Sequence, residues 1–312
     1  MHVVGIQGLS GGSGATTVCA GLSVAMNNFG TRSIALDLQI DNCLVAHFGM
    51  QLEATAGLLP HAAEHAAAQA GQQAAASATG KGIEDCVFES DQGYPFIPFG
   101  RVPATQEERA LNTLNENLHT MLAPLLQLKD RILFVDVPRT AGPLRQWVYQ
   151  HADVIINVLQ PEPRLASALL RFSAHTLPQQ SVYQAHSKVL INQMAPNLAI
   201  ARDSSDYLHG VLHSSMLLPV AVHRDQHAVE AFAALQPVHH YHRSAQVSRD
   251  FDALALWLAG YLADLPARKA NIAASAQAAE NKAGTQAKTS PAAESKATTP
   301  APAAPANKGA NE

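Results

Sequence analysis

The chain predicts an α/β domain built on a doubly wound, mostly parallel sheet, and three observations predict it. Apolar runs of strand length alternate with stretches of helical periodicity, the pattern of successive βαβ units. The first run, residues 3–6, leads into a glycine-rich turn, Gly8-Leu9-Ser10-Gly11-Gly12-Ser13-Gly14-Ala15-Thr16-Thr17, which opens onto a helical stretch. Finally, 312 residues with 47% apolar content suffice for one sizeable core plus accessory segments.

In chain order, residues 3–6 form the first strand and 16–29 a helix closed by Gly30. Residues 33–42, which include Asp37, read as a strand running on into a following segment. Residues 52–80 are Ala-rich with few large apolar side chains, which leaves two readings open: a surface pair of helices or a poorly ordered insertion. After the apolar residues 96–99, Leu111, Leu114, Leu118, Leu122 and Leu125 recur at near-helical spacing within 106–128, the pattern of a core-facing helix. Further strands are expected within 132–138, 151–163 and 189–192, and helices at 142–150, 165–175, 198–211 and 250–265. Beyond Leu265 the composition turns to Ala, Pro, Thr, Ser and Lys, with Ile272 the one large apolar residue, too little to bury for folding. The expected organisation is a domain over 1–265 and a disordered tail over 266–312.

The glycine turn has a chemical reading. Glycines at the end of a strand let the backbone close around an anion, with successive N–H groups pointing inward and the following helix adding its positive end. Thr16 stands where a P-loop places its magnesium-ligating hydroxyl, but Ala15 occupies the place of the lysine that reaches the β- and γ-phosphates. Leu9 also replaces the leading glycine of G-x-x-x-x-G-K-[ST]. Gly11, Gly12, Ser13, Gly14, Ala15, Thr16 and Thr17 are the candidate phosphate-binding residues, with Asp37 and Asp136 joining Thr16 as candidate magnesium-side groups.

Over residues 1–265 the chain resembles the MinD/ParA family of deviant P-loop ATPases. Residues Ser10-Gly11-Gly12-Ser13-Gly14-Ala15-Thr16 align with that family's K-G-G-x-G-K-[ST] signature, and Ser33 to Asn42 with the strand entering its switch I. Ile132-Leu133-Phe134-Val135-Asp136-Val137-Pro138 matches the Walker B strand, His151 to Pro163 the next strand and turn, and Val189-Leu190-Ile191-Asn192 the strand ending in an adenine-side asparagine. Within the family the likeness is to the cellulose biosynthesis protein Q group. It rests on Gly5-Ile6-Gln7-Gly8, Phe96-Ile97-Pro98-Phe99-Gly100, Val222-His223-Arg224-Asp225 and Gln236-Pro237-Val238.

The resemblance implies an ATP- and Mg2+-binding protein that forms a nucleotide-sandwich homodimer. Its implied partners are the cellulose synthase complex and that complex's cytoplasmic accessory proteins. Three departures from the active pattern fall at chemical positions. Ser10 replaces the lysine that crosses the dimer interface, Ala15 the in-loop lysine, and Gln39 the acid that positions the attacking water. Loss of a phosphate-clamping cation removes several kcal/mol of transition-state stabilisation, and each ~1.4 kcal/mol is tenfold in rate. The expectation is therefore retained binding with very weak or absent ATPase activity. Two other readings remain open: a cycling partition or positioning ATPase, and a scaffold that binds no nucleotide.

Other features exclude or demote competing functions. No apolar stretch is long enough to span a bilayer and no leader pattern opens the chain, so a cytoplasmic address is expected. The tail carries six basic and three acidic residues, a bias too small to point to nucleic acid, and it lacks the apolar face of a membrane-binding amphipathic helix. Membrane association is then expected to be indirect, and the resemblance implies recruitment to the inner-membrane synthase and to a cell pole. Cys19, Cys43 and Cys86 have no paired spacing and read as reduced packing residues. Gly8-Leu9-Ser10-Gly11-Gly12 also satisfies the G-x-S-x-G nucleophile elbow, yet it follows the first strand and brings no identifiable acid or histidine. His239-His240-Tyr241-His242 lacks metal spacing and reads as surface histidines in a region that frames the base.

Overall fold

The computed structural model describes residues 1–69, 82–182 and 186–267. Part of the expected Ala-rich insertion and all but the first two residues of the expected tail lie outside these. Residues Met1–Leu262 form one compact unit, and Ala263 onward falls in a second.

The described strands are β1 (His2–Gly8), β2 (Ser33–Asp37), β3 (Phe88–Glu89), β4 (Pro95–Ile97), β5 (Ile132–Val137), β6 (Val154–Leu159) and β7 (His186–Ile191). They form one sheet in the order β3-β4-β2-β5-β1-β6-β7, parallel except for the antiparallel pairing of β3 with β4. Every residue of β2, β5 and β6 is buried, the two-sided burial that parallel strands acquire when helices cover both faces. Side chains alternate across the sheet. Ile34, Leu36, Leu133, Val135 and Val137 enter one core, with α2 (Leu58–Gln69), α3 (Ala104–Leu126) and α4 (Pro143–His151). Asp37 and Asp136 therefore point to the opposite face, where α1 (Ala15–Asn28) lies.

On that face α10 (Gln246–Ala263) packs against α1. A Cβ on Gly21 would lie 2.4 Å from the Phe251 ring, so the glycine lets the two helices meet closely. α10 begins four residues before the expected 250.

Several elements differ from the sequence expectation. The Ala-rich stretch begins as a core helix: Leu58, Leu59, Ala62 and Ala66 of α2 are buried, and the first three join the core that α3 lines. Small side chains let helix axes approach, so a large-apolar stripe is not required. In α3, Leu114, Leu118, Leu122 and Leu125 are buried as expected, and Leu111 is half-buried. The single helix expected at 165–175 is α5 (Leu165–Arg171), a π-helical turn (Phe172–Thr176) and α6 (Leu177–Val182). α7 (Ala199–Val211) falls where expected. A 3-10 helix (Cys43–Phe48), α8 (Gln226–Ala233) and the one-turn α9 (Val238–Tyr241) have no counterpart in the sequence reading.

Candidate functional site

The site lies at the carboxyl ends of the central strands, on the face that α1 covers. Gly12 and Gly14 adopt left-handed backbone (φ 74° and 81°), which glycine enters without steric cost. A Cβ on Gly14 would lie 2.5 Å from the Asn192 amide nitrogen, whereas one on Gly12 would project into open space. Gly14 caps α1 without any side-chain hydrogen bond, so the first-turn amides are not engaged by a side-chain cap.

Three amide side chains brace the loop from neighbouring strand ends. Gln160 Nε2, one residue past β6, donates to the Gly12 carbonyl at 2.8 Å, and Gln193 Nε2, two past β7, donates to the same oxygen at 3.0 Å. Asn192 Nδ2 donates to the Ser13 carbonyl at 2.7 Å. The residue expected at the adenine edge is thus first a brace of the loop. Gln160 and Gln193 were not singled out from sequence. The available signal was their place just past apolar strands, at the carboxyl edge where α/β sites assemble.

On the metal side, Asp37 and Asp136 are paired across β2 and β5 and fully buried. Thr16 Oγ1 donates to Asp136 Oδ2 at 2.6 Å, tying the loop to the Walker B strand. The backbone N–H groups of Gln39 and Leu44 donate to the two oxygens of Asp37, at 2.8 and 3.2 Å. Burial, with the neighbouring Asp136 charge, pushes the Asp37 carboxyl well above its ordinary value. Burial also lifts Asp136 to about 7, against the pull of the Thr16 and Gln39 hydrogen bonds. Two crowded carboxylates and a hydroxyl are hard oxygen donors, a set that fits Mg2+. Gln39 Nε2 reaches Asp136 Oδ1 at 3.4 Å, so an amide stands where active relatives of the fold are expected to carry the water-positioning acid. Cys19 is buried beneath this pair and its thiol is pushed up, mainly by burial, as suits a reduced packing residue.

Two adjoining cavities follow from this arrangement. One, of about 490 Å3, is lined by the loop from Ser10 to Thr17 together with Gln39, Asp41 and Arg139. The other, of about 320 Å3, is bounded by Asn192, Val222, Arg224, Val229 and Phe232. They share Gly14, Thr17 and Gln193, giving one cleft with a phosphate-suited end and a partly apolar end. Thr17 Oγ1 also lies 3.4 Å from Nε2 of the buried His47, whose ring meets Phe232 edge-on. Residues 222–225 are held against α10: His223 N donates to Asp250 Oδ2 at 2.7 Å, and Val247 N to Asp225 Oδ2 at 3.2 Å.

Gly11 to Thr17 and Asn192 thus line one cleft, and Asp37 and Asp136 lie fully buried behind it, Asp136 reached through the Thr16 hydroxyl. Ser10 and Gln39 line the same loop cavity as Ala15, and all three are uncharged. Ser10 has no histidine hydrogen-bonded to its hydroxyl among the described residues, so the arrangement gives no support to a nucleophile elbow. The histidine cluster needs a correction. His240 and His242 are exposed, but His239 is buried with Nε2 3.1 Å from Asp252 Oδ1, because one helical turn points adjacent residues in different directions. The base end is lined by residues 222–232 rather than by this turn.

This strand order, with a glycine loop opening the first helix and an acid on each of two adjacent strands, defines a P-loop protein of the MinD/ParA type. Among solved structures, the cell division ATPase MinD of Pyrococcus furiosus superposes with a TM-score of 0.62 at 18% identity, over 83% of this chain and 99% of that one. Cobyrinic acid a,c-diamide synthase from Mycobacterium smegmatis, solved with a bound ATP analog and magnesium, gives 0.58 at 18% identity, over 82% and 93%. The family is narrower than the fold. The model of the cellulose biosynthesis protein BcsQ family matches residues 1–259, and the chain belongs to that family. The BcsQ of Salmonella typhimurium is 25% identical over 262 residues, 82% of this chain and 94% of the relative.

Proposed function

We propose that the protein is an ATP-binding accessory factor of bacterial cellulose biosynthesis and secretion, which holds Mg-ATP in a nucleotide-sandwich homodimer and hydrolyses it little or not at all. The observation that carries this reading is a division within one cleft. Thr16, Asp37 and Asp136 converge as a magnesium-suited oxygen set, while Ser10 and Ala15 leave the loop without either lysine. The loop amides and the α1 N-terminus bind phosphate, Thr16 and the two acids hold Mg2+, and residues 192 and 222–232 enclose the base. Bound Mg2+ neutralises phosphate charge and relieves the repulsion between the two buried carboxyls.

Family membership supports the pathway, and with it the cellulose synthase complex and its cytoplasmic accessory proteins as partners. No helix among the described residues is long and apolar enough to cross a membrane. We infer from the family's pathway a cytoplasmic protein recruited to the inner-membrane synthase, and to a pole, through those partners. Titration calorimetry with ATP, with and without Mg2+, tests the site: wild type binds and Thr16→Ala loses the Mg-dependent component. Undiminished affinity in Thr16→Ala would remove that hydroxyl from the site.

A further inference from the structure

Resting on the nucleotide-binding reading, we propose that Arg139 is the site's own phosphate cation, engaging the terminal phosphate of a nucleoside triphosphate from within the same chain. It stands three residues past Asp136, on the turn between β5 and α4, and Arg145 of α4 pins that turn by donating from Nη1 to the Arg139 carbonyl at 3.0 Å. The side chain comes back over the glycine loop. A Cβ on Gly11 would lie 2.8 Å from Arg139 Nη1, so only a glycine at 11 lets the guanidinium rest there unshifted.

Among the described residues lining the loop cavity, Arg139 is the single Lys or Arg. No carboxylate among the described residues forms an ion pair with it, although Asp41 lines the same cavity. An unpaired guanidinium beside inward-facing amides is a site for an anion, and its planar fork suits phosphate oxygens. Position selects the phosphate. The base end meets the loop at Gly14 and Thr17, whereas Gly11 and Arg139 line the loop cavity and are absent from the base end. A nucleotide running from base to loop therefore presents its last phosphate to Arg139. Charge lost at Ser10 and Ala15 is thereby returned from the Walker B side, as an exposed group that adds affinity for a triphosphate over a diphosphate.

The test is calorimetric titration of the full chain with Mg-ATP and with Mg-ADP, for wild type, Arg139→Ala and Arg139→Lys, with thermal melts to verify folding. Arg139→Ala is expected to weaken ATP binding about tenfold or more while changing ADP binding about twofold at most, with Arg139→Lys between the two for ATP. Adding Ala15→Lys should restore part of the ATP affinity of Arg139→Ala. Unchanged ATP affinity in Arg139→Ala, or equal losses for ATP and ADP, would overturn the assignment while leaving the nucleotide site in place. A wild-type protein that binds neither nucleotide would overturn both.

Discussion

The proposed metal side and phosphate side of the site differ in the charge that they hold. The metal side holds an oxygen set: Asp37 and Asp136 are fully buried, and half-buried Thr16 donates to Asp136 over 2.6 Å. The phosphate side has kept its backbone and lost its loop cations, and neutral amides from Gln160, Asn192 and Gln193 hold it in shape. On the proposed function, binding and hydrolysis draw on separable parts of a P-loop. Amides and a metal suffice to hold a nucleotide in its ground state. Charge placed against the transferring phosphoryl group matters most in the transition state.

Changes on the metal side should have the largest effects on binding. Asp136→Asn is expected to weaken Mg-dependent ATP binding by about a hundredfold or more, measured by calorimetry, since it removes a charge that faces the cation. An affinity within a few-fold of wild type would mean that the metal side is a relic.

The same substitution carries a stability prediction of opposite sign. A carboxyl whose pKa is raised on folding binds its proton more tightly in the folded state, so the contribution of Asp136 to stability falls as pH rises from 3.8 to about 7. His47 works the other way. Burial holds it near 4, so its contribution is lost as pH falls below 6.5 toward that value. Comparison with the variant isolates the acid: without nucleotide, Asp136→Asn should melt above wild type at pH 7, and the gap should close toward pH 4. A gap independent of pH would contradict the buried-pair account.

On the phosphate side, Gly14→Ala should cost about 1–3 kcal/mol of stability, because alanine at φ 81° is strained and its Cβ meets Asn192. Denaturant unfolding checks this. Ala15→Lys sharpens the comparison: if the missing cation limits hydrolysis, phosphate release should rise about tenfold or more. No gain would move the limit to Gln39 or to dimer geometry. The smallest effect is expected for Gln160→Ala, which removes one of two donors to the Gly12 carbonyl and should weaken ATP binding only a few-fold.

What the sequence made legible follows from the same physics. β1, β2, β5 and β6 were readable because two-sided burial writes strands as nearly continuous apolar runs, and Gly11 to Thr16 was readable because a tight anion loop needs glycine at fixed spacing. The burial of α2 was hidden because few large apolar residues, Leu58 and Leu59 with Ala62, suffice for a core face where small side chains let axes run close. The loop braces were hidden for another reason: nothing local to Gln160 or Gln193 says that both amides reach Gly12, a contact between segments more than 140 residues apart. His239 was misread with its neighbours because its burial depends on α10, which supplies Asp252.

The most direct test of the central claim is to load the purified protein with Mg-ATP, wash it, hold it for hours, and identify the retained nucleotide by chromatography after denaturation. The account predicts intact ATP, at about one per chain in a dimer that encloses it. Retained ADP would contradict the claim and restore a working ATPase, and an empty protein would reduce the cleft to a scaffold.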